Sequence, residues 1–204
     1  MYSDLDDAGL ITSRNVFYLA EYEVDFPSES AQNDIFHIIS EFGGCTINHG
    51  LFRFHTLGSS FIWTKYVTNY FADHSDAFYC FGFDWMGRQF AMSTAKKDVV
   101  YMFDPATVEV FVLNQNLKNF LFENLLETDV DSFEKEYFNV LNANKNDLAI
   151  GDCYGYTTPL FLGGGDEMAN ISVTDMEVYW EINFQLYNKI KNLPIGTKVN
   201  KVTI

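Results

Sequence analysis

The chain of 204 residues is poor in the residue types on which catalytic and metal sites usually depend. Its three cysteines, Cys45, Cys80 and Cys153, form no C-x-x-C pair, so the sequence predicts neither a zinc site nor a disulfide framework. It also has no G-x-S-x-G nucleophile motif. We therefore expect reduced thiols, no bound metal and no cofactor.

Long apolar runs are also missing. No stretch approaches the ~20 consecutive apolar residues that a membrane-spanning helix needs. The first residues, MYSDLDDAGLITSR, are acidic and do not resemble a signal peptide. We expect a cytoplasmic protein that does not contact membranes.

Positive charge is scarce. Thirteen Lys and Arg face 28 Asp and Glu, which gives a net charge of -15. Direct binding to nucleic acid rests on cationic contacts to phosphate, so this balance argues against it. It favours a basic partner, which the acidic chain would attract electrostatically. The alternative is that the acidity serves only solubility.

Aromatic residues, in contrast, are abundant, with 20 Phe and 12 Tyr. Short strand-like runs separated by turn residues predict an antiparallel β-meander at about residues 77–113. A hairpin is predicted near residues 45–55, with its turn at residues 48–50. Together with several apolar helical stripes, this order of elements predicts an α+β fold.

Several of the predicted helices have candidate starting residues. One begins at Ser59 or Ser60. The long C-terminal helix is predicted to be capped by Thr174, with Glu177 completing a capping box. Because its apolar residues cover more than one stripe, we expect that last helix to be packed on two sides. Asn116 is predicted to cap a helix through Leu126, and Asp129 or Asp131 to cap a further helix through Leu141.

The length fits one large domain or two small ones packed together. We divide the chain into an N-terminal arm at residues 1–27, an α+β half at 28–127 and a C-terminal half at 128–204. The C-terminal half contains an irregular Gly-rich segment before the final helix. We expect the two halves to form one compact unit.

The stretch FGFDWMGRQFAM, residues 81–92, has the composition of an active-site motif. We interpret it as a β-turn in which Asp84 accepts backbone N–H bonds, Gly87 adopts the left-handed conformation and Arg88 pairs with Asp84. Phe81 and Phe83 are expected to share one strand face. Catalysis by Asp84 and Arg88, or partner contact through Trp85 or Arg88, are the alternatives.

Other candidate sites are weaker. Gly163–Gly165 suggest a phosphate loop, but Asp166 and Glu167 follow at once and would repel a phosphate, so a tight turn is favoured. His49 and His55 provide at most half a metal site. Cys153 would be a catalytic nucleophile only if a histidine approached it in space.

Three stretches in order, CFGFDWMGRQFAM, MFDPATVEVFVL and GDCYGYTTPLFLGGGDEMANISVTDMEVYWEINFQLY, resemble one bacterial family. This is the family of immunity proteins that guard against type VI secretion DNase effectors, with a GAD-like N-terminal half. The likeness covers about residues 41–190, and the third glycine and Asp166-Glu167 depart from it. It implies a non-catalytic protein that binds and neutralises a cognate toxin, a nuclease.

For that function we predict partner contacts on the acidic and aromatic residues of two segments. These residues are Asp152, Tyr154, Tyr156, Asp166, Glu167, Trp85 and Arg88. The alternative function is a small-ligand-binding or regulatory sensing domain, with Tyr154, Tyr156 and Gly163–Gly165 lining a pocket. An enzyme using Cys153 and a histidine is a third hypothesis.

Overall fold

The computed structural model describes residues 8–14, 29–72, 77–93, 96, 99–126, 133–143, 148–194 and 196–199. Within these residues lie nine strands and five α-helices. The strands are β1 (Ile11–Arg14), β2 (Cys45–Ile47), β3 (Phe52–Phe54), β4 (Phe78–Asp84), β5 (Gln89–Ser93), β6 (Val100–Asp104), β7 (Glu109–Val112), β8 (Asp152–Tyr156) and β9 (Ile171–Asp175). The helices are α1 (Glu29–Phe42), α2 (Leu57–Tyr70), α3 (Leu117–Leu121), α4 (Lys135–Leu141) and α5 (Met176–Ile190).

Strands β1 to β7 form one antiparallel sheet in which spatial order follows chain order. The predicted α+β class and meander are confirmed, and β2 and β3 form the predicted hairpin near residues 45–55. Strand β1, from the region predicted to be an arm, adds to the edge of this sheet beside β2. Most of that arm lies outside the described residues.

Helices cover both faces of the sheet, so its central strands are buried on both sides. On one face Phe52, Phe81 and Phe90 pack with α1, α3 and Phe133. On the other face Phe83 and Phe103 pack with α2 and α5. Each core cluster contains residues from both sides of the proposed boundary at residue 127.

The expectation that Phe81 and Phe83 share a strand face is wrong. The pairing of β4 with β5 shifts register between Cys80 and Gly82, which marks a β-bulge. The extra residue reverses the alternation, so Phe81 and Phe83 enter opposite core clusters.

The predicted caps of α2 and α5 are also wrong, the first by three or four residues and the second by one residue. Thr56, not Ser59 or Ser60, caps α2, and its side chain accepts a hydrogen bond from the N–H of Ser59. Thr174 still pairs within β9, so the cap of α5 falls to Asp175. Asp175 accepts a hydrogen bond from the N–H of Val178 at 2.9 Å, which leaves Glu177 outside a capping box.

Of two further predicted helix caps, the one at Asn116 is confirmed and the other lies outside the described residues. Asn116 caps α3 by accepting a bond from the N–H of Asn119, at 2.8 Å. Asp129 and Asp131, where another helix was predicted to begin, lie outside the described residues, and α4 begins at Lys135. None of the helices in the described ranges has the length and apolar character needed to cross a bilayer.

Candidate functional site

The segment expected to be irregular contains a second β-structure. Strands β8 and β9 pair antiparallel, and residues 157–170 connect them; we call this connection the hairpin loop. The N–H of Tyr154 also donates to the carbonyl of Trp85 at 2.8 Å. The main sheet therefore positions the hairpin through the turn that follows β4.

Asn170 holds the two ends of the hairpin loop together. It is buried, and its Oδ1 accepts bonds from the hydroxyl of Thr157 at 2.8 Å and the N–H of Thr158 at 2.9 Å. Its Nδ2 donates to the carbonyls of Thr158 and Gly165, both at 2.9 Å. Because all four bonds come from one side chain, the loop has a defined shape.

The loop also closes tightly around a glycine. A Cβ atom placed on Gly164 would lie 2.0 Å from the carbonyl oxygen of Thr158 and 2.8 Å from Nδ2 of Asn170. Gly163 has a φ of +89°, which favours glycine. The glycines therefore build a compact turn.

Replacing Gly164 with alanine is expected to disrupt this loop. The new Cβ would displace Thr158 and break bonds of Asn170, and we expect a loss of about 1–3 kcal/mol of stability. Gly165→Ala is the matched control, because the atoms nearest to its Cβ belong to the side chain of Glu167, at 3.0 Å, and not to the backbone. Urea denaturation measures both variants; equal midpoints would show that the loop is not tightly closed.

The outer part of the loop is acidic. Asp166 and Glu167 are exposed, and Oδ1 of Asp166 accepts a bond from the hydroxyl of Tyr156 at 2.6 Å. Burial raises the pKa of Tyr137, and the charges of Asp166, Glu134 and Glu167 raise it further. Three carboxylates therefore lie near this tyrosine.

The predicted contact residues of β8 lie at different positions along the hairpin and differ in exposure. Tyr156 is buried and lies beside Asp166 at the loop end of the hairpin. Asp152 is at the opposite end, where it pairs with Asp175. The half-buried ring of Tyr154 packs against Trp85 and Phe138, with centroids 5.9 and 6.4 Å apart.

Trp85 and Arg88 do not have the exposed surface that a partner contact requires. Trp85 is 0% exposed, and its Nε1 donates to the carbonyl of Phe133 at 2.6 Å. Arg88 is 7% exposed, and its Nε donates to Oδ2 of Asp84 at 2.6 Å. Both residues instead join the sheet to the segment that precedes α4, where Arg88 also pairs with Glu134 at 3.1 Å.

The turn between β4 and β5 is held by hydrogen bonds of the Asp84 side chain, as the sequence predicts. Oδ1 of Asp84 accepts bonds from the N–H groups of Met86 and Arg88, both at 3.0 Å. Gly87 has a φ of +77°, in the left-handed region. Burial disfavours the charge of Arg88, but Asp84, Asp104 and Glu134 outweigh it and raise its pKa. The side chains of Asp84, Trp85 and Arg88 are all hydrogen-bonded within the protein.

Cys153 lies in an environment unsuited to a nucleophile. It is fully buried, and burial raises the pKa of its thiol above the ordinary value. Within the described ranges it makes no hydrogen bond to a histidine. Among those same residues, no group of three histidine, cysteine or acidic side chains is arranged to hold a metal ion.

His55 is held as a neutral core residue. Its Nε2 lies 2.8 Å from Oε1 of Gln89, and its Nδ1 lies 3.1 Å from the hydroxyl of Ser59. Burial lowers its pKa to about 3. Both ring nitrogens are already bonded, so the ring serves packing and hydrogen bonding.

This depressed pKa predicts a pH-dependent stability. The unfolded chain takes up a proton on His55 below its ordinary pKa, whereas the folded protein does not until about pH 3. Stability is therefore lost as pH falls, by about 2 kcal/mol between pH 7 and pH 5. Urea denaturation at both pH values measures it; the loss should shrink by that amount in His55→Gln, and an unchanged loss would contradict this account.

Sequence reasoning missed an exposed apolar stripe on α5. Val178 and Ile182 lie one turn apart on α5 and are 50% and 38% exposed. Val173 on β9 is 51% exposed, and Met168 in the hairpin loop is 36% exposed. The expectation that α5 is packed on two sides is thus wrong for this stripe. The sequence signal for this stripe was that the apolar residues of α5 cover more of the helix than one buried face needs.

The protein thus has an α+β fold. Its C-terminal hairpin and final helix carry exposed acidic and apolar side chains. Residues 114–187 match the family described as "T6SS immunity protein Tdi1, C-terminal". The match confirms the family resemblance for this part of the chain, which contains α3, α4, the hairpin and most of α5. It implies an immunity protein of the type VI secretion system.

A solved structure shares the fold over most of the chain. The crystal structure of Atu4351 from Agrobacterium tumefaciens aligns with a TM-score of 0.58 and 18% identity, and the alignment covers 91% of this chain and 89% of that one. At that identity the likeness shows the fold alone. No curated protein matches the chain significantly.

Proposed function

We propose that the protein is a non-catalytic immunity protein that binds and neutralises a cognate toxin with a cationic surface, namely a nuclease domain. The observation that carries this proposal is the match of residues 114–187 to the immunity family. That region includes the hairpin loop and the exposed stripe of α5. The protein would act in the cytoplasm, where a DNase toxin reaches DNA.

The charge of the surface supports a cationic partner. A nuclease needs basic residues to hold the phosphates of its substrate. Asp166 and Glu167 are exposed at the hairpin loop of a chain whose net charge is -15. Carboxylates placed in this way steer a basic partner toward the surface and cover its DNA-binding residues.

The shape of the surface supports tight binding. Val178 and Ile182 on α5 and Val173 on β9 provide exposed apolar contact area in the same C-terminal region as the acidic loop. Interfaces combine such an apolar centre with a polar rim. Because Asn170 already fixes the loop, less conformational entropy is lost when the partner binds.

Co-expression tests this proposal. The protein should protect cells from the toxin encoded by the adjacent gene and should co-purify with it. The double variant Asp166→Asn/Glu167→Gln should slow association and weaken its dependence on salt. Glu41→Gln/Glu109→Gln removes the same charge from exposed positions on α1 and β7 and is the control. Absence of both complex and protection for the wild-type protein would contradict the proposal.

The sensing-domain hypothesis required Tyr154, Tyr156 and the glycines to line a pocket. Instead, Tyr154 packs on Trp85, Tyr156 is buried with its hydroxyl bonded, and Gly164 lies against Thr158. These groups contact other protein atoms. No observation at these residues favours a small ligand over a protein partner.

A further inference from the structure

A cleft is lined by none of the residues predicted from the sequence to contact the partner. It has a volume of about 340 Å³ and opens between the first turns of α2 and α5, beside the end of the hairpin that carries Asp152. Its apolar lining includes Ile62, Trp63, Ile150 and Met176. Ile62 is 44% exposed, so a partner can reach this lining from solvent.

The rim of this cleft is acidic. Asp175 and Glu177 both line it and both are exposed. Asp175 is fixed in place because it caps α5 through the N–H of Val178. Burial raises the pKa of Tyr66 on α2, and the charges of Glu177, Glu181 and Asp175 raise it further. These carboxylates, at the start of α5, therefore lie near Tyr66 on the neighbouring helix α2.

No cation of the described chain neutralises this rim. The guanidinium of Arg53 lies 4.4 Å from the ring centroid of Phe83, which lines the cleft, but Arg53 is fully buried and donates to the carbonyls of Ala149 and Asp152. The ammonium of Lys65, on α2, lies 4.2 Å from the ring centroid of Phe61. In the described part of the chain, no ion pair involves Asp175 or Glu177. Their two full charges exceed the partial positive charge of the adjacent helix N-terminus, roughly half a unit. The rim therefore attracts cations and repels anions.

We propose that this cleft receives a lysine or arginine side chain of the toxin, an inference that rests on the proposed function. The aliphatic stem packs against Ile62 and Met176, and the charged head meets Asp175 and Glu177. Lysine and arginine combine an apolar stem with a charged head, which matches an apolar cleft with an acidic rim. The cleft thereby anchors the complex at a point distinct from the hairpin loop.

Two conservative variants test the cleft. Glu177→Gln removes one rim charge, and Ile62→Ala removes apolar lining. The controls are Glu109→Gln, which removes an exposed carboxylate from β7, and Val112→Ala, which shortens a side chain that is 49% exposed. The probe is the purified toxin domain encoded by the adjacent gene, and isothermal titration calorimetry measures its Kd. Circular dichroism checks that each variant is folded.

We expect each cleft variant to raise the Kd by about tenfold and each control by less than about twofold. For Glu177→Gln the effect should diminish at high salt. If wild-type protein binds and the cleft variants bind as tightly as the controls, the cleft proposal is wrong and the immunity function stands. If wild-type protein does not bind the toxin domain, the proposed function fails and the cleft proposal fails with it.

Discussion

Arg88→Met is expected to lower the free energy of unfolding by about 3–5 kcal/mol. The substitution keeps most of the side-chain volume but leaves the carboxylate of Asp84 buried without its guanidinium partner. It also removes the bond to Glu134, which joins the turn to the segment before α4. Urea denaturation of wild type and variant at neutral pH measures the loss.

The double variant Asp84→Asn/Arg88→Met separates charge from packing. An asparagine keeps an oxygen that can accept the N–H bonds of Met86 and Arg88, but it has no charge to be stranded. We expect the double variant to recover at least half of the stability lost by Arg88→Met. A loss below about 1 kcal/mol in the single variant would show that the ion pair is not buried as described.

Trp85→Ala is expected to cost a similar amount, about 3–5 kcal/mol. The indole is fully buried, and its ring lies between Tyr137, Phe138 and Tyr154. Its loss leaves a cavity at the junction of the main sheet, α4 and the hairpin. It also leaves the carbonyl of Phe133 without its donor. Thermal and urea denaturation measure the effect.

Trp85→Phe is the matched control because it keeps an aromatic ring and removes the indole N–H. We expect a smaller cost of about 1–3 kcal/mol. The folded fraction of this variant should bind the toxin domain as wild type does, since Trp85 has no exposed surface. Near-wild-type stability combined with weakened binding would instead support the direct partner contact considered from the sequence.

The sheet was predictable because its signals are local. Each strand of the meander is a short apolar run, and each joint contains turn residues within a few positions of the strand ends. Asp84 and Gly87 have the residue types that such a turn requires. The bulge at Cys80–Gly82 was not predictable in this way, because it depends on how β4 pairs with β5.

The C-terminal hairpin was missed because the residues that pair in it are far apart in the sequence. Tyr154 on β8 pairs with Val173 on β9, nineteen positions later, across a loop without regular alternation. Asn170 likewise bonds Thr158, twelve positions earlier. The caps at Thr56 and Asp175 were displaced because several residues near each helix start can act as a cap, and tertiary packing selects one.

The exposure of the candidate contact residues was predicted only in part. Acidic residues after the glycines are visible in the sequence, and Asp166 and Glu167 are indeed exposed. Burial is not visible from a motif, so Trp85 and Arg88 were included although the fold encloses them. The cleft rim at Asp175 and Glu177 exists only because α2 and α5 meet in space.

A titration of toxin activity tests the central claim most directly. The purified toxin domain from the adjacent gene is incubated with plasmid DNA and increasing amounts of this protein, and DNA cleavage is measured on a gel. The proposed function predicts that cleavage ends at about one equivalent, because tight binding covers the DNA-binding surface. Undiminished cleavage at a large excess of the folded protein would contradict it.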